Sequence, residues 1–489
     1  MRHRLTRREF LGTTAAAGAL LMAGCETRRP PAAGPMAAVP GPTAEEVGWP
    51  KLPPVKVHVV YVGLGGAWPK PEFDAKAEVA KFQKYLAGVQ QRMGDMEFIG
   101  GELIPNNDQA AAELAARIGR PDALLLVHLA FGSGQPLLAL VDTGLPTAIF
   151  SQPFSGHDWM YVPQWQKAGK HVILLASRDY AELDRAAALL RVPARMRQSK
   201  ILVAGGPRGT APACSPAKVK ERWGAEVVTI TAREIAEAHA AVDPRAAEAE
   251  AEAYWIKPAK RIVEPPREEI VNSVRLYLAT RNLMIQHGAR AIASSLCMGK
   301  PAKGCLTFSK LGDLGLVGTC EGDMDSALTQ LMFGYAFGKP GFVTDPLFDL
   351  SRNAVIHAHC VAATKMDGPA GQRAPFILRT HRDDNHGAAV QVELRVGQQI
   401  TCAKLVNLDT MLLSAQRIIE IPDFDDRGCR TQITCEVADA GKMLQHWGSG
   451  VIDKEGMMTL LHRVVFYGNH VRNVSYLAQL TGMKVVMEG

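Results

Sequence analysis

The chain has 489 residues, 47% hydrophobic and 21% charged, which excludes a disordered or collagen-like polymer and gives enough length for two or three compact domains. Its formal charge is +6, and half of that lies in residues 1–24, where Arg2, Arg4, Arg7 and Arg8 face one acid, Glu9. What remains is too weak a field for nucleic acid, and no dense basic stripe with interleaved aromatics occurs, so no nucleic-acid partner is expected.

Residues 6–10 read T-R-R-E-F and precede an apolar run over 11–23. That run is shorter than the roughly 20 apolar residues of a permanent membrane helix. The arginine pair resembles the signal for twin-arginine export. Leu21-Met22-Ala23-Gly24-Cys25 resembles a bacterial lipoprotein cleavage box, with Cys25 as the lipid carrier. The expectation is a periplasmic or cell-surface lipoprotein with a signal over 1–25, held to the membrane by its N-terminal lipid. Residues 26–54, rich in Pro, Gly and Ala, read as a flexible tether. Eight cysteines follow Cys25, and no C-x-x-C pair occurs. Buried thiols are the default reading; short bridges within Cys297/Cys305 and Cys429/Cys435 stay open, because spacing does not fix connectivity.

From residue 55 the chain alternates strand and helix signals. The run 55–62, V-K-V-H-V-V-Y-V, reads as a strand, followed by Gly63, Gly65 and Gly66 without the full dinucleotide-binding order. Val79, Phe82, Leu86 and Val89 recur at helical spacing within 74–93. Strands are expected at 96–99, 123–129, 147–150, 171–175, 201–204 and 226–230. Helices are expected at 109–118, 180–190, 216–223, 232–241 and 268–286. This alternation predicts one or two doubly wound parallel-sheet domains over 55–250. An α/β domain with acidic residues is expected over 251–380. After residue 386, strand-like runs at 390–396, 399–405, 430–436 and 462–466 predict a β-rich domain over 381–489, with a short helix at 476–480 and a last strand at 484–487.

The chemically specific stretch begins at Cys320-Glu321-Gly322-Asp323. A helical pattern over 324–337 follows, and 342–345 reads as a short strand ending in Asp345. One crossover can therefore bring Glu321 and Asp345 to one rim, where ligands sit in open α/β sheets. Two carboxylates and an imidazole suit a hard divalent metal. Their bland alternatives are a helix cap for Glu321, a turn cap before Pro346 for Asp345, and a partly buried hydrogen-bonded imidazole for His470.

The segment 320–360, with E-G-D, the helix, G-x-P and then Asp345, resembles the C-terminal half of the L-fucose isomerase and L-arabinose isomerase-like superfamily. His357-Ala358-His359-Cys360 resembles that family's histidine segment near the sugar, and Gly468-Asn469-His470 its terminal N-H element. The resemblance implies a divalent metal, most often Mn²⁺, held by Glu321, Asp345 and His470, and an aldose–ketose interconversion through an enediolate. Glu321 is the expected base, with Asp345 as metal ligand and second acid/base. His359 and His386 are expected to orient sugar hydroxyls, and Asp383 or Asp384 to support an imidazole. Trp447 is placed either against a sugar face or as a domain seal. The resemblance also implies a homo-oligomer. Expected export favours an alternative, a glycoside hydrolase or carbohydrate-binding protein acting on an extracytoplasmic oligosaccharide.

Overall fold

The computed structural model describes residues 48–65, 70, 72–422, 427–448, 451–452 and 456–489. The expected signal, Cys25 and residues 26–47 of the tether lie outside these. Residues 48–54 are not free of the fold: Trp49 is buried, and its indole N–H donates to the Ala289 carbonyl at 3.0 Å.

Five strands form the first sheet: β1 (Val55–Leu64), β2 (Met96–Pro105), β3 (Ala123–His128), β4 (Thr147–Ser151) and β5 (Val172–Ala176). All run parallel, in the order β2-β1-β3-β4-β5. The helix Ala75–Met93 turns Val79, Phe82, Leu86 and Val89 inward, the stripe its spacing predicts. Asp74 caps its start and Gly94, at φ 68°, ends it. Gly63 is required by close approach: a Cβ there would lie 2.7 Å from the Ala130 backbone nitrogen. That packing accounts for the glycine without a phosphate. The helix Ala181–Arg197 continues past the expected 190 and through Pro193. Its buried Arg191 and Arg195 both reach Asp95, and this tertiary anchoring outweighs the break that proline favours.

The second sheet contains β6 (Lys200–Ala204), β7 (Glu226–Ile230), β8 (Ala291–Ser294) and β9 (Val317–Cys320), parallel in the order β7-β6-β8-β9. It joins residues on both sides of the expected division at 250/251, which therefore falls inside one sheet.

The remaining strands are β10 (Phe342–Asp349), β11 (Ala354–His359), β12 (Phe376–Arg379), β13 (Ala389–Val392), β14 (Gln399–Val406), β15 (Thr410–Glu420), β16 (Thr431–Glu436), β17 (Arg463–Tyr467) and β18 (Lys484–Met487). The order β14-β17-β10-β11-β16-β15 closes on itself through a β14–β15 pairing, so six antiparallel strands make a barrel. β18 lies parallel beside β15, and β12 and β13 form a separate ladder. Ile400, Cys402, Ile418, Ile433, Cys435 and Val465 belong to its buried core. The β-rich part thus begins at Phe342, well before residue 381. Parallel-sheet α/β architecture followed by a barrel-containing, β-rich C-terminal part is the overall plan. Among the described residues, no helix is long and apolar enough to cross a membrane.

Candidate metal centre

Glu321 stands where β9 ends and the helix Met324–Phe337 begins. Its backbone takes φ 58°, unusual for a residue with a side chain, and Gly322 follows at φ 75°. This double left-handed turn reverses the chain tightly. The Glu321 N–H donates to Cys297 Sγ at 3.2 Å. Asp323, not Glu321, is the helix cap, accepting from the Ser326 N–H at 3.0 Å.

Asp345 arrives from the barrel. The β10–β17 ladder pairs Phe342 with Val465, Val343 with Val464 and Thr344 with Arg463, then stops. The next residues in this register are Asp345 and His462, so both sit at an opening of the ladder. β10 continues by pairing Asp345 to Asp349 with β11. Pro346 is tolerated because one side of the strand is no longer bonded there. Asp345 is therefore a strand residue and not a turn cap.

His462 is fully buried and organises the cluster. Its Nδ1 lies 2.9 Å from Asp323 Oδ2. An ionised carboxylate only accepts, so Nδ1 carries a proton, and a cation bound at Nε2 would take the place of the proton that the metal-free imidazolium holds there. Nε2 is 3.3 Å from Asp345 Oδ1 and 3.6 Å from Glu321 Oε2, yet has no hydrogen-bond partner. A buried nitrogen without a partner, facing two carboxylates, fits a cation in the gap. The Asp323–His462 contact is the carboxylate support that metal-ligating histidines commonly have. Asp345 and Glu321 keep 28% and 29% of their side chains exposed, so an incoming molecule can reach them.

Behind Asp323 lies Lys404, also wholly buried, with Nζ 2.9 Å from Oδ2. Burial opposes charge on Asp323, but the Lys404 ammonium and then His462 hold its carboxyl well below the usual range. Burial likewise opposes charge on His462, while Asp323 and Asp345 outweigh it and raise the imidazole to about 9. Asp345 is lowered: burial acts upward, and His359 and His462 act more strongly downward.

His359 is buried beside them, its Nε2 4.0 Å from Asp345 Oδ2. Its Nδ1 accepts the Cys360 N–H at 2.8 Å, which places the ring proton on Nε2, toward the cluster. Burial keeps this imidazole neutral by lowering its pKa. Among the described residues, two donor groups are close enough to hold a metal ion: Cys320, Glu321 and His359, and Asp345, His359 and His462.

The expected third ligand, His470, is elsewhere. It directly precedes the helix Val471–Thr481, stacks on Phe337 at 4.0 Å, and its Nε2 meets the Tyr467 carbonyl at 2.9 Å. Phe337 ends the 14-residue helix whose first end carries Glu321, and at about 1.5 Å per residue that helix spans roughly 20 Å. His470 is thus the hydrogen-bonded imidazole of the bland reading, and His462 occupies the place assigned to it. The helpful signal was present: His462 immediately precedes a strand that must pair with the strand of Asp345. Asp323 and Lys404 were also missed as a supporting pair, although E-G-D was singled out.

The other expected contacts divide. His386 is exposed at the tip of the 381–387 loop. Asp384 engages Lys303 at 2.5 Å and lies 3.5 Å from His381, while Asp383 is exposed; the imidazole support comes from Asp323 instead. Trp447 behaves as a seal: its N–H donates to the Leu460 carbonyl at 2.8 Å, Phe348 meets it edge-on at 5.3 Å, and the Arg463 guanidinium lies 3.7 Å over its ring. Compared with known proteins, the chain matches no family model and no curated protein, so the functional reading rests on the geometry of these side chains.

Proposed function

We propose that this chain is a divalent-metal-dependent sugar isomerase, with Mn²⁺ as its ion, that interconverts an aldose and a ketose. The carrying observation is the unpartnered Nε2 of His462 between the Glu321 and Asp345 carboxylates. The resemblance of residues 320–360 to the L-fucose and L-arabinose isomerase-like superfamily supports the same reading. Asp345 and His462, from one of the two donor groups, would hold the ion together with Glu321 from the other, whose Oε2 is 3.6 Å from His462 Nε2, leaving positions for two adjacent sugar oxygens.

Bound there, a divalent ion polarises a carbonyl and stabilises the negative charge that develops during proton transfer. The chain's own residues do the rest. A Glu321 oxygen takes the proton from the carbon beside the carbonyl, and a carboxylate oxygen of Glu321 or Asp345 returns one to the neighbouring carbon. The His359 Nε2–H donates to a substrate oxygen. Lys404 keeps Asp323 ionised, and Asp323 keeps the His462 proton on Nδ1.

Glu321 and Asp345 both approach one nitrogen, so their oxygens are at most about 7 Å apart, a separation that glycosidic cleavage also uses, and the reaction product distinguishes the two readings. The test is a panel of aldoses with Mn²⁺-loaded protein in deuterated water. Ketose formation is expected, with deuterium at carbon one of the ketose and at carbon two of the recovered aldose. Neither product nor exchange on any aldose, with metal bound, overturns the proposal; oligosaccharide cleavage would establish the hydrolase instead.

A further inference from the structure

Four sulfurs surround the cluster, and the pairs they make differ from the sequence neighbours. Cys297 follows β8 and Cys320 ends β9, adjacent strands in which Ser294 pairs with Cys320. Their Sγ atoms are 3.1 Å apart and both residues are buried. Cys360 follows β11 and Cys429 precedes β16, whose pairing of His359 with Thr431 brings these flanking residues together. Their thiols are hydrogen-bonded to each other. Each pair touches the centre: Cys297 Sγ accepts the Glu321 N–H, Cys320 precedes Glu321, and Cys360 follows His359.

We propose that Cys297–Cys320 and Cys360–Cys429 are two disulfide-forming pairs that clamp the segments carrying Glu321 and His359. The first pair is already within 3.1 Å, the second flanks the paired His359 and Thr431, and each joins neighbouring strands, so closure requires side-chain movement and little rearrangement of the ladders. The oxidant is an external low-molecular-weight disulfide. Cys429 is partly exposed and so can be reached. Its sulfur, after losing a proton to solvent, attacks one sulfur of the external disulfide; the other departs as a thiolate and takes up a proton. Cys360 then attacks Cys429 Sγ in the same way and expels the second external thiol. Two protein thiols lose two electrons and two protons, and one external disulfide becomes two thiols. Cys297 and Cys320 undergo the same exchange while the chain folds, before they are buried. For the partly exposed Cys360–Cys429 pair, the expected export would carry the folded protein into a compartment where such a bond persists.

The inference is independent of the sugar reaction and is read without a substrate. The full chain is refolded in a buffer of reduced and oxidised glutathione, quenched with acid, unfolded, alkylated and digested without reductant. Mass mapping should find peptides linked 297–320 and 360–429, with Cys214, Cys305, Cys402 and Cys435 alkylated. C429S should lose only the second link and C297S only the first. Alkylation of all four paired cysteines in wild type, or links within 297/305 and 429/435, overturns the pairing. A clamp also predicts that reductant lowers the thermal midpoint of the oxidised wild type by several degrees. Equal midpoints before and after reduction overturn the clamping role.

Discussion

Asp323→Asn isolates the support beneath the metal centre. The substitution nearly preserves volume and leaves one oxygen for the Ser326 N–H, so the helix cap survives. It removes the charge that faces Lys404 Nζ and His462 Nδ1, each 2.9 Å away and each fully buried. Lys404 would retain the Met458 carbonyl, at 3.1 Å, and the more distant attraction of buried Asp325. Breaking a buried ion pair from one side costs about 3–5 kcal/mol, because the other charge remains buried without compensation. A second loss concerns the metal: removing the carboxylate that orients a ligating histidine lowers affinity about 10–100-fold, or roughly 1.4–2.7 kcal/mol. The two effects are separable. Urea unfolding of the metal-free protein reports the first, and a Mn²⁺ titration of folded protein at low urea reports the second. D323N with an unchanged urea midpoint and a Mn²⁺ dissociation constant within twofold of wild type would refute the proposed chain from Lys404 through Asp323 to His462.

Three further outcomes follow from the same geometry. H462Q should lose bound Mn²⁺ by elemental analysis while H470Q keeps it; the reverse result would restore His470 as ligand. E488Q should lower the urea midpoint by an amount equivalent to about 3–5 kcal/mol, since Glu488 makes 2.7 and 2.8 Å contacts with an Arg463 that is fully buried. A shift below 1 kcal/mol would show that the pair is dispensable. Burial lowers His470 to about 4 from an ordinary value near 6.5, so the unfolded chain binds its proton first as pH falls. Stability from this group is complete above pH 6.5 and fades toward pH 4, by up to about 3 kcal/mol; H470Q should flatten the acid side of a midpoint-against-pH curve, and an unchanged slope would contradict the burial argument.

Local signals were enough for the parallel sheets. Val79, Phe82, Leu86 and Val89 announce one helix face, and the pattern over 324–337 coincides with the helix Met324–Phe337. The barrel was harder to read because its closure is non-local: β14 must find β15 next door but also β17, some 60 residues away. β11 and β15 lack turn signals strong enough to stand apart, and Pro346 concealed that β10 runs on to Asp349. The two acids could be chosen because each ends a legible element. The imidazole could not be chosen from a local N-H motif, since what selects His462 is the register between β10 and β17. The charge on buried Lys404 has no local sequence signature at all; only its position against Asp323 explains it.

The centre is assembled across a seam in the chain. Glu321 and Asp323 belong to the end of the second parallel sheet, whereas Asp345, Lys404 and His462 come from the barrel or its immediate border. A break between Met324 and Phe342 would leave neither fragment with a full set of donors. The barrel fragment would keep Asp345 and His462 but lose the carboxylate that fixes the imidazole tautomer. The parallel-sheet fragment would keep no histidine of the cluster if cut after Met324. Metal capture by two such fragments mixed together would therefore be a complementation signal, appearing only when the seam re-forms, and a divalent ion can serve as a reporter of assembly even where no sugar is turned over.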